Sequence, residues 1–177
     1  FSMLHGKDVY VSKELVLHQK AKAVAFTGSL HVGRSIFDLA SARINPIPVY
    51  AEMGSINPVF LINENKKTSK QLADTITLAV GQFCNKAGVI FLLEKNKDVI
   101  KKVTDEIKKK ENGILLNKNI QNNLIKKIEI TKDTKNVEIL AGGKSYENRL
   151  SVENTVFLTD IKTYLKNKNL QEEHFGP

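Results

Sequence analysis

The chain has 177 residues and a mass of 19.8 kDa, enough to bury a real core and to make one domain, or one domain with part of another. Hydrophobic residues at 41% and charged residues at 26% give the composition of an ordinary soluble protein, and no apolar run approaches the ~20 residues of a membrane-spanning helix. Twenty-seven Lys and Arg against 19 Asp and Glu leave a net charge of +8. The Lys residues between Lys95 and Lys135 are interspersed with Glu, Asp and Asn, with no Arg cluster and no Trp. That pattern describes a solvated face and not a base-stacking platform, so no nucleic-acid partner is expected. The single cysteine, Cys84, excludes an internal disulfide framework and fits a reducing compartment, with the cytoplasm as the expected location. The four histidines, His5, His18, His31 and His174, are scattered without paired spacing, so no metal site is expected.

In chain order, Phe1–His5 reads as a buried strand ending at Gly6. The segment FSMLHG lacks the basic region and long apolar stretch of a secretory signal, and a strand here implies that the chain begins inside a fold. Lys7–Lys20 places Val11, Leu15 and His18 on one face of an amphipathic helix. AVAFT, residues 23–27, is a short apolar strand that runs directly into Gly28 and Ser29. From Leu30 to Arg43 the apolar residues Val32, Ile36, Leu39 and Ala40 recur at helical spacing. PIPVYAEM then returns as a strand carrying Glu52 near its end. The order strand, helix, strand, helix, strand predicts two crossover units of a parallel sheet.

Beyond Glu52, residues 58–62 form another short strand and NENKKTSK is a polar loop with helix-entry character. Gln71–Val80 carries Leu72, Ile76, Ala79 and Val80 at helical spacing, and Gly81 suits a left-handed cap. Cys84 would then lie in the loop just past that helix. GVIFLLE, residues 88–94, reads as a central strand. A charged helix over Lys97–Lys110 has Val99, Val103 and Ile107 as its inner stripe and Asn112-Gly113 as its stop. Asn119–Ile128 repeats Ile120, Leu124 and Ile128 at helical spacing. Val137–Leu140, closing at Gly142-Gly143, and Asn154–Thr159 are further strands. The chain runs on through IKTYLKNKNL to QEEHFGP and is expected to be a fragment of a larger enzyme.

Two places carry chemistry. Parallel sheets of this kind put ligand sites at the carboxyl ends of their strands, and both Gly28 and Glu52 fall there. Gly28-Ser29-Leu30-His31-Val32-Gly33 is a strand-to-helix turn with glycine at both ends. Such a turn lets backbone approach a ligand, and the helix start favours anionic groups; glycine also serves tight turns for steric reasons alone. The second place is the pair Glu52 and Cys84, 84 − 52 = 32 positions apart. A thiolate that attacks and a carboxylate that later activates water are the inventory of covalent catalysis. A lone thiol can equally be a buried structural residue, and Glu52 a surface carboxylate. A free thiol with a pKa near 8.5 is only a small fraction thiolate at neutral pH, so a nucleophilic site must favour ionisation or supply a base. Glu52 at the end of a buried strand would hold its proton more tightly, toward the range useful to a general base.

Taken together, FTGSLHVGR at 26–34, AEMGSINP at 51–58, GQFC at 81–84 and EEHFGP at 172–177 strongly resemble the aldehyde dehydrogenase superfamily, in the family's order and at similar spacing along the whole chain. The resemblance implies an α/β fold: residues 1–50 as the C-terminal remnant of a Rossmann-type NAD(P)-binding domain, and residues 51–177 as most of an α/β catalytic domain. It implies Cys84 as the nucleophile that forms a thiohemiacetal and then a thioester, with NAD or NADP as hydride acceptor and Glu52 as the base that activates the hydrolytic water. It assigns Gly28, Ser29 and Gly33 to the cofactor loop, and Glu173 and Phe175 to the nicotinamide ribose and ring. Ser55 stands where many members have a second glycine. GSINP with GQFC is similar to the branch that oxidises 2-oxoglutarate semialdehyde (2,5-dioxopentanoate); Asn85, Lys86 and Ala87 match that branch more loosely.

The resemblance also implies an upstream Asn that completes the oxyanion hole and an upstream Lys on the adenine ribose, and neither motif is found here. Loss of an oxyanion donor typically costs about 2.7–4 kcal/mol of transition-state stabilisation, so the 177-residue chain alone is expected to be inert. The partner implied is a small-molecule aldehyde, and the full-length protein is expected to be a homo-oligomer. The alternatives are a dehydrogenase for another semialdehyde or aliphatic aldehyde and, from a different class, a noncatalytic basic binding module.

Overall fold

The computed structural model describes residues 2–6 and 9–177. The chain divides into two compact units, Phe1–Gly54 and Ser55–Pro177.

In the first unit, helix α1 (Val9–Leu17) is followed by strand β1 (Val24–Gly28), helix α2 (Leu30–Ser41) and strand β2 (Val49–Met53). β1 and β2 pair in parallel, Val24 against Val49 through Gly28 against Met53, so the apolar strands around the helix form one crossover unit. Of the expected N-terminal strand, Phe1 lies outside the described residues and residues 2–6 carry no strand. These apolar residues are exposed, Met3 and Leu4 among them, and an apolar string without a pairing partner does not make a sheet edge. Lys7 and Asp8, at the start of the predicted first helix, also lie outside the described residues. The residue that α1 buries is Val16, while Leu15 is exposed. Val16, Ile36 and Ala40 form the core of this unit with Val24, Phe26, Leu39, Ile47 and Val49 around them. Arg43 closes the end of α1, donating to the carbonyls of Val16 at 2.9 Å and His18 at 3.1 Å, a common way to satisfy the last carbonyls of a helix.

The second unit opens with β3 (Pro58–Leu61), α3 (Thr68–Thr77) and β4 (Val89–Leu92). β3 and β4 pair in parallel, Pro58 against Val89 through Leu61 against Leu92. Residues 88–94 were expected to form a central strand. Among the described residues β4 pairs with β3 alone, because an apolar run reports burial without counting neighbours. Helices α4 (Asp98–Lys108) and α5 (Lys118–Lys132) follow, then β5 (Val137–Ala141), β6 (Ser145–Tyr146), β7 (Ser151–Val152), β8 (Val156–Thr159) and α6 (Ile161–Lys166). β5 runs antiparallel to β8, and β6 to β7.

Two cores hold this unit. Val99, Val103 and Ile107 of α4 pack on Ala73 of α3, flanked by Leu61, Leu72, Ile76 and Leu92. Leu124 and Ile128 of α5 pack on Leu115 and Val152, with Val80 and Phe157 beside them. The side chain of Asn117 caps α5 by accepting from the Ile120 N–H at 3.0 Å, and Asp160 caps α6 by accepting from Lys162 and Thr163. Several lysines pair across or along the surface: Lys102 with Glu64, Lys110 and Lys70 with Asp74, and Lys127 with Glu172. Among the described residues no helix is long and apolar enough to cross a membrane.

Candidate active site

The first unit contributes a strand end. β1 closes at Gly28, and Ser29 caps α2: its hydroxyl accepts from the Val32 N–H at 3.4 Å and its carbonyl from the Gly33 N–H at 3.0 Å. A side chain on Gly28 would press on the ring of Phe26, so the strand end stays bare. Gly33 is buried with the Met53 side chain of β2 lying directly over it, and a larger residue would meet the Met53 thioether, which would have to move aside. This explains a departure from the periodicity: Gly33, and not the half-exposed Val32, takes the inward place on α2. The register sets Thr27 beside Glu52 and Gly28 beside Met53. Glu52 and the glycine turn therefore share the carboxyl end of the parallel pair. Glu52 is exposed, and the burial expected for it is not found. Along β2, Tyr50 and Glu52 alternate outward while Val49, Ala51 and Met53 are half-buried, which is the two-residue period of a strand covered on one face.

The residues present fit a dinucleotide at this end. A bare Gly28 allows close approach of the backbone, and the start of the 12-residue α2 offers N–H groups and the positive end of a helix dipole to a pyrophosphate.

The second unit holds the thiol. Helix α3 stops at Thr77, earlier than the periodicity predicts, because Ala79 (φ 47°), Val80 (φ 59°) and Gly81 (φ 64°) all take left-handed backbone. Glycine adopts that conformation freely, whereas a β-branched valine does so only when its surroundings hold it there. Val80 Cγ2 lies where Gly113 would carry a side chain, and the Gln82 carboxamide oxygen accepts from the Leu116 N–H at 2.9 Å. This turn delivers Cys84, whose side chain is exposed.

The backbone of the thiol loop is held from two sides. On one side stands the segment 55–57. Asn57 Nδ2 donates to the carbonyls of Cys84 at 2.6 Å and Lys86 at 3.0 Å, with Ser55 Oγ a third neighbour at 3.1 Å. Ser55 Oγ also donates to the Cys84 carbonyl, and the Gly88 N–H donates to the Ile56 carbonyl at 2.6 Å. Asn57 itself has φ 50°, a conformation asparagine tolerates better than most residues. On the other side stands the C-terminal motif. Lys86 Nζ donates to the carbonyls of His174 at 2.5 Å and Gly176 at 2.8 Å. Burial brings the Lys86 pKa down to about 8 against the opposing pull of the Glu173 carboxylate. Gly81 meets the backbone of Gly176 and Pro177 so closely that no side chain fits there.

Segment 172–177 is anchored in turn on α5. Lys127 pairs with Glu172 at 2.8 Å, which holds the Glu172 carboxyl below its usual range. His174 Nε2 shares a 2.8 Å hydrogen bond with Thr131 Oγ1, and burial lowers the His174 pKa. Leu124 lies under Gly176. Glu173 and Phe175 are half-buried in the same segment. The second unit thus gathers Cys84, Glu173 and Phe175 onto two segments joined at Lys86 and Gly81, while Gly28, Ser29, Gly33 and Glu52 belong to the first. Sequence reading missed Ser55, Asn57, Gly81 and Lys86 as bracing residues. The available signal was a single lysine inside an otherwise apolar or small-residue turn, FCNKAGVIF.

The first unit carries a carboxylate at a parallel-strand end and a helix start beyond a bare glycine, and the second carries a thiol in a solvent-facing loop. The sequence profile of the aldehyde dehydrogenase family matches residues 1–177. The chain is 31% identical over 185 residues to alpha-ketoglutaric semialdehyde dehydrogenase of Acinetobacter baylyi and 29% identical over 184 residues to alpha-ketoglutaric semialdehyde dehydrogenase 2 of Azospirillum brasilense. In both comparisons the alignment covers 100% of this chain and 35% of the relative, so the chain spans about a third of their length. Among solved structures, a mutant form of 1-pyrroline-5-carboxylate dehydrogenase of Thermus thermophilus superposes with a TM-score of 0.85 at 23% identity, over 97% of this chain and 36% of that one. The chain belongs to the aldehyde dehydrogenase family, whose members use NAD(P).

Proposed function

We propose that the protein carrying this chain oxidises an aldehyde to a carboxylic acid through a thioester on Cys84, with 2-oxoglutarate semialdehyde as substrate. The observation that carries the reading is the exposed Cys84 in a loop whose backbone is braced on one side by Ser55 and Asn57 and on the other, through Lys86, by the segment bearing Glu173 and Phe175. The Cys84 thiolate adds to the aldehyde carbon and the carbonyl oxygen takes up the negative charge. Conversion of this adduct to a thioester releases a hydride, for which bound NAD(P) would supply the acceptor. Glu52 then takes a proton from water, the resulting hydroxide equivalent adds to the thioester, and the thiolate departs as the acid forms. The net change consumes one aldehyde, one water and one oxidised cofactor, and releases the acid, the reduced cofactor and protons. Gly28 and Ser29 serve the pyrophosphate, and Gly33 keeps α2 close to β2. Glu173 and Phe175 serve the nicotinamide half.

The semialdehyde is favoured over other aldehydes by the two relatives at 29% and 31% identity that align over the whole chain. The intact gene product is expected to reduce NAD(P) with 2-oxoglutarate semialdehyde at a higher kcat/KM than with aliphatic aldehydes or glutamate semialdehyde, and Cys84→Ala is expected to abolish turnover. A better second substrate would move the assignment to another aldehyde. Full activity in Cys84→Ala would end the thioester mechanism.

A further inference from the structure

We infer that Lys86 is a positioning residue that ties the backbone of the Cys84 loop to segment 172–177, so that the two move as one unit. The inference rests on the proposed function only for what those segments carry, the nucleophile on one and the cofactor-facing Glu173 and Phe175 on the other.

Three observations carry it. The Lys86 ammonium reaches across 88 and 90 positions of sequence to the carbonyls of His174 and Gly176, although a lysine of this reach could extend to water. Its own carbonyl accepts from Asn57, so the same residue is gripped by the 55–57 segment and grips the C-terminal one. A second approach, Gly81 against Gly176 and Pro177, lies on the same two segments and leaves no slack for them to part independently. The charged group facing the ammonium is Glu173, which favours its protonated form against the cost of burial, while the nearby Lys86 charge and burial both keep the His174 ring toward its neutral form. Neither is a direct salt-bridge partner in the geometry, so the carbonyl oxygens of His174 and Gly176 receive the N–H bonds. Two carbonyls orient an ammonium as a fork without cancelling its charge. This suits a strut better than an ion pair, whose geometry is less directional.

The test uses the intact gene product with Lys86→Met, which keeps the stem and removes the donors, and Lys86→Arg, which restores them. Losing two hydrogen bonds from a charged donor is expected to speed amide exchange by about tenfold or more, at residues 83–88 and 172–176 together, with residues 24–28 and 99–107 unchanged. In the same variant kcat falls and the cofactor KM rises, and Lys86→Arg recovers part of both. Faster exchange in only one segment, or a fall in kcat at constant cofactor KM, would overturn the inference. Should Lys86→Met fail to fold, exchange of the unmodified protein at rising urea decides instead: one shared opening free energy for the two segments supports the strut, and two distinct ones refute it. An unmodified protein without dehydrogenase activity would refute the proposed function, and the exchange measurements would still decide the role of Lys86.

Discussion

At the scale of single residues, Asn57 and Lys86 set the shape of the thiol loop and make different predictions. Asn57 combines a left-handed backbone with a carboxamide that donates to two carbonyls. Asn57→Ala removes the side-chain donor to the Lys86 carbonyl and one of the two to the Cys84 carbonyl, which keeps Ser55, at a cost of about 1–3 kcal/mol, and adds the strain of alanine at positive φ; a lowered urea midpoint would measure it. Asn57→Asp is expected to be worse, since a carboxylate facing two carbonyl oxygens has no proton to offer. For Lys86 the folded pKa of about 8 lies below the ordinary value of 10.5, so between these values the unfolded chain binds more protons and stability rises with pH. Relative to Lys86→Met, the natural protein should therefore gain stability from pH 8 to pH 10.5, by about 2–3 kcal/mol at most. Denaturant titrations of both proteins across that range would show it, and an equal slope for both would refute it. For Glu52 the prediction is kinetic. In the intact gene product Glu52→Gln should give one burst of reduced cofactor followed by turnover slowed about 10²–10⁴-fold, because thioester formation does not need the base and hydrolysis does.

At the scale of elements, α4 shows what a sequence makes readable. Val99, Val103 and Ile107 recur every fourth residue and all three are buried against α3, so periodicity alone located the helix and its inner face. Ile107→Ala is expected to cost about 2–5 kcal/mol, read as a lower urea midpoint at unchanged slope. Removing the cap of α5 with Asn117→Ala should cost only about 1 kcal/mol. The end of α3 was not readable in the same way. Alanine and valine at positions 79 and 80 are good continuations of an apolar helical stripe, and only packing on Gly113 and the crossing of Gly176 over Gly81 turn them left-handed. The bracing of the site escaped for a related reason: Asn57 and Lys86 find their acceptors 27 and 90 positions away. Glu52, Cys84 and the Gly28 turn were visible because each sits in a short local motif, whereas hydrogen bonds between motifs leave no periodic trace. The short pair β6–β7 and the six-residue α6 went unread because two-residue strands and a single capped turn and a half carry too little pattern.

At the scale of the whole molecule, part of the basic charge is offset locally by carboxylates, as at Lys102, Lys110 and Lys127, and the net +8 is carried mostly by lysine with no Arg cluster. Retention on DNA or RNA is therefore expected to be weak, indifferent to sequence and steeply reduced by salt. Tight binding that survives about 200 mM salt would instead favour a basic binding module. The chain covers about a third of the length of its relatives, and the oxyanion donor implied by the family resemblance has no match within it. The 177 residues alone are accordingly expected to yield no steady reduction of NAD(P), with Cys84 still open to alkylation by iodoacetamide; sustained turnover by this chain would overturn that expectation.

The exposure of Cys84 also governs how the protein ages. Peroxide converts an accessible thiolate to a sulfenic acid, which is normally rescued when a nearby thiol captures it as a disulfide. No other cysteine occurs among the 177 residues, so within this chain no second thiol can capture the sulfenic acid as a disulfide before it advances to the irreversible sulfinic form. For the 177 residues by themselves, the rescuing thiol has to come from another molecule such as glutathione, and added thiol should slow the loss of alkylatable Cys84 in peroxide.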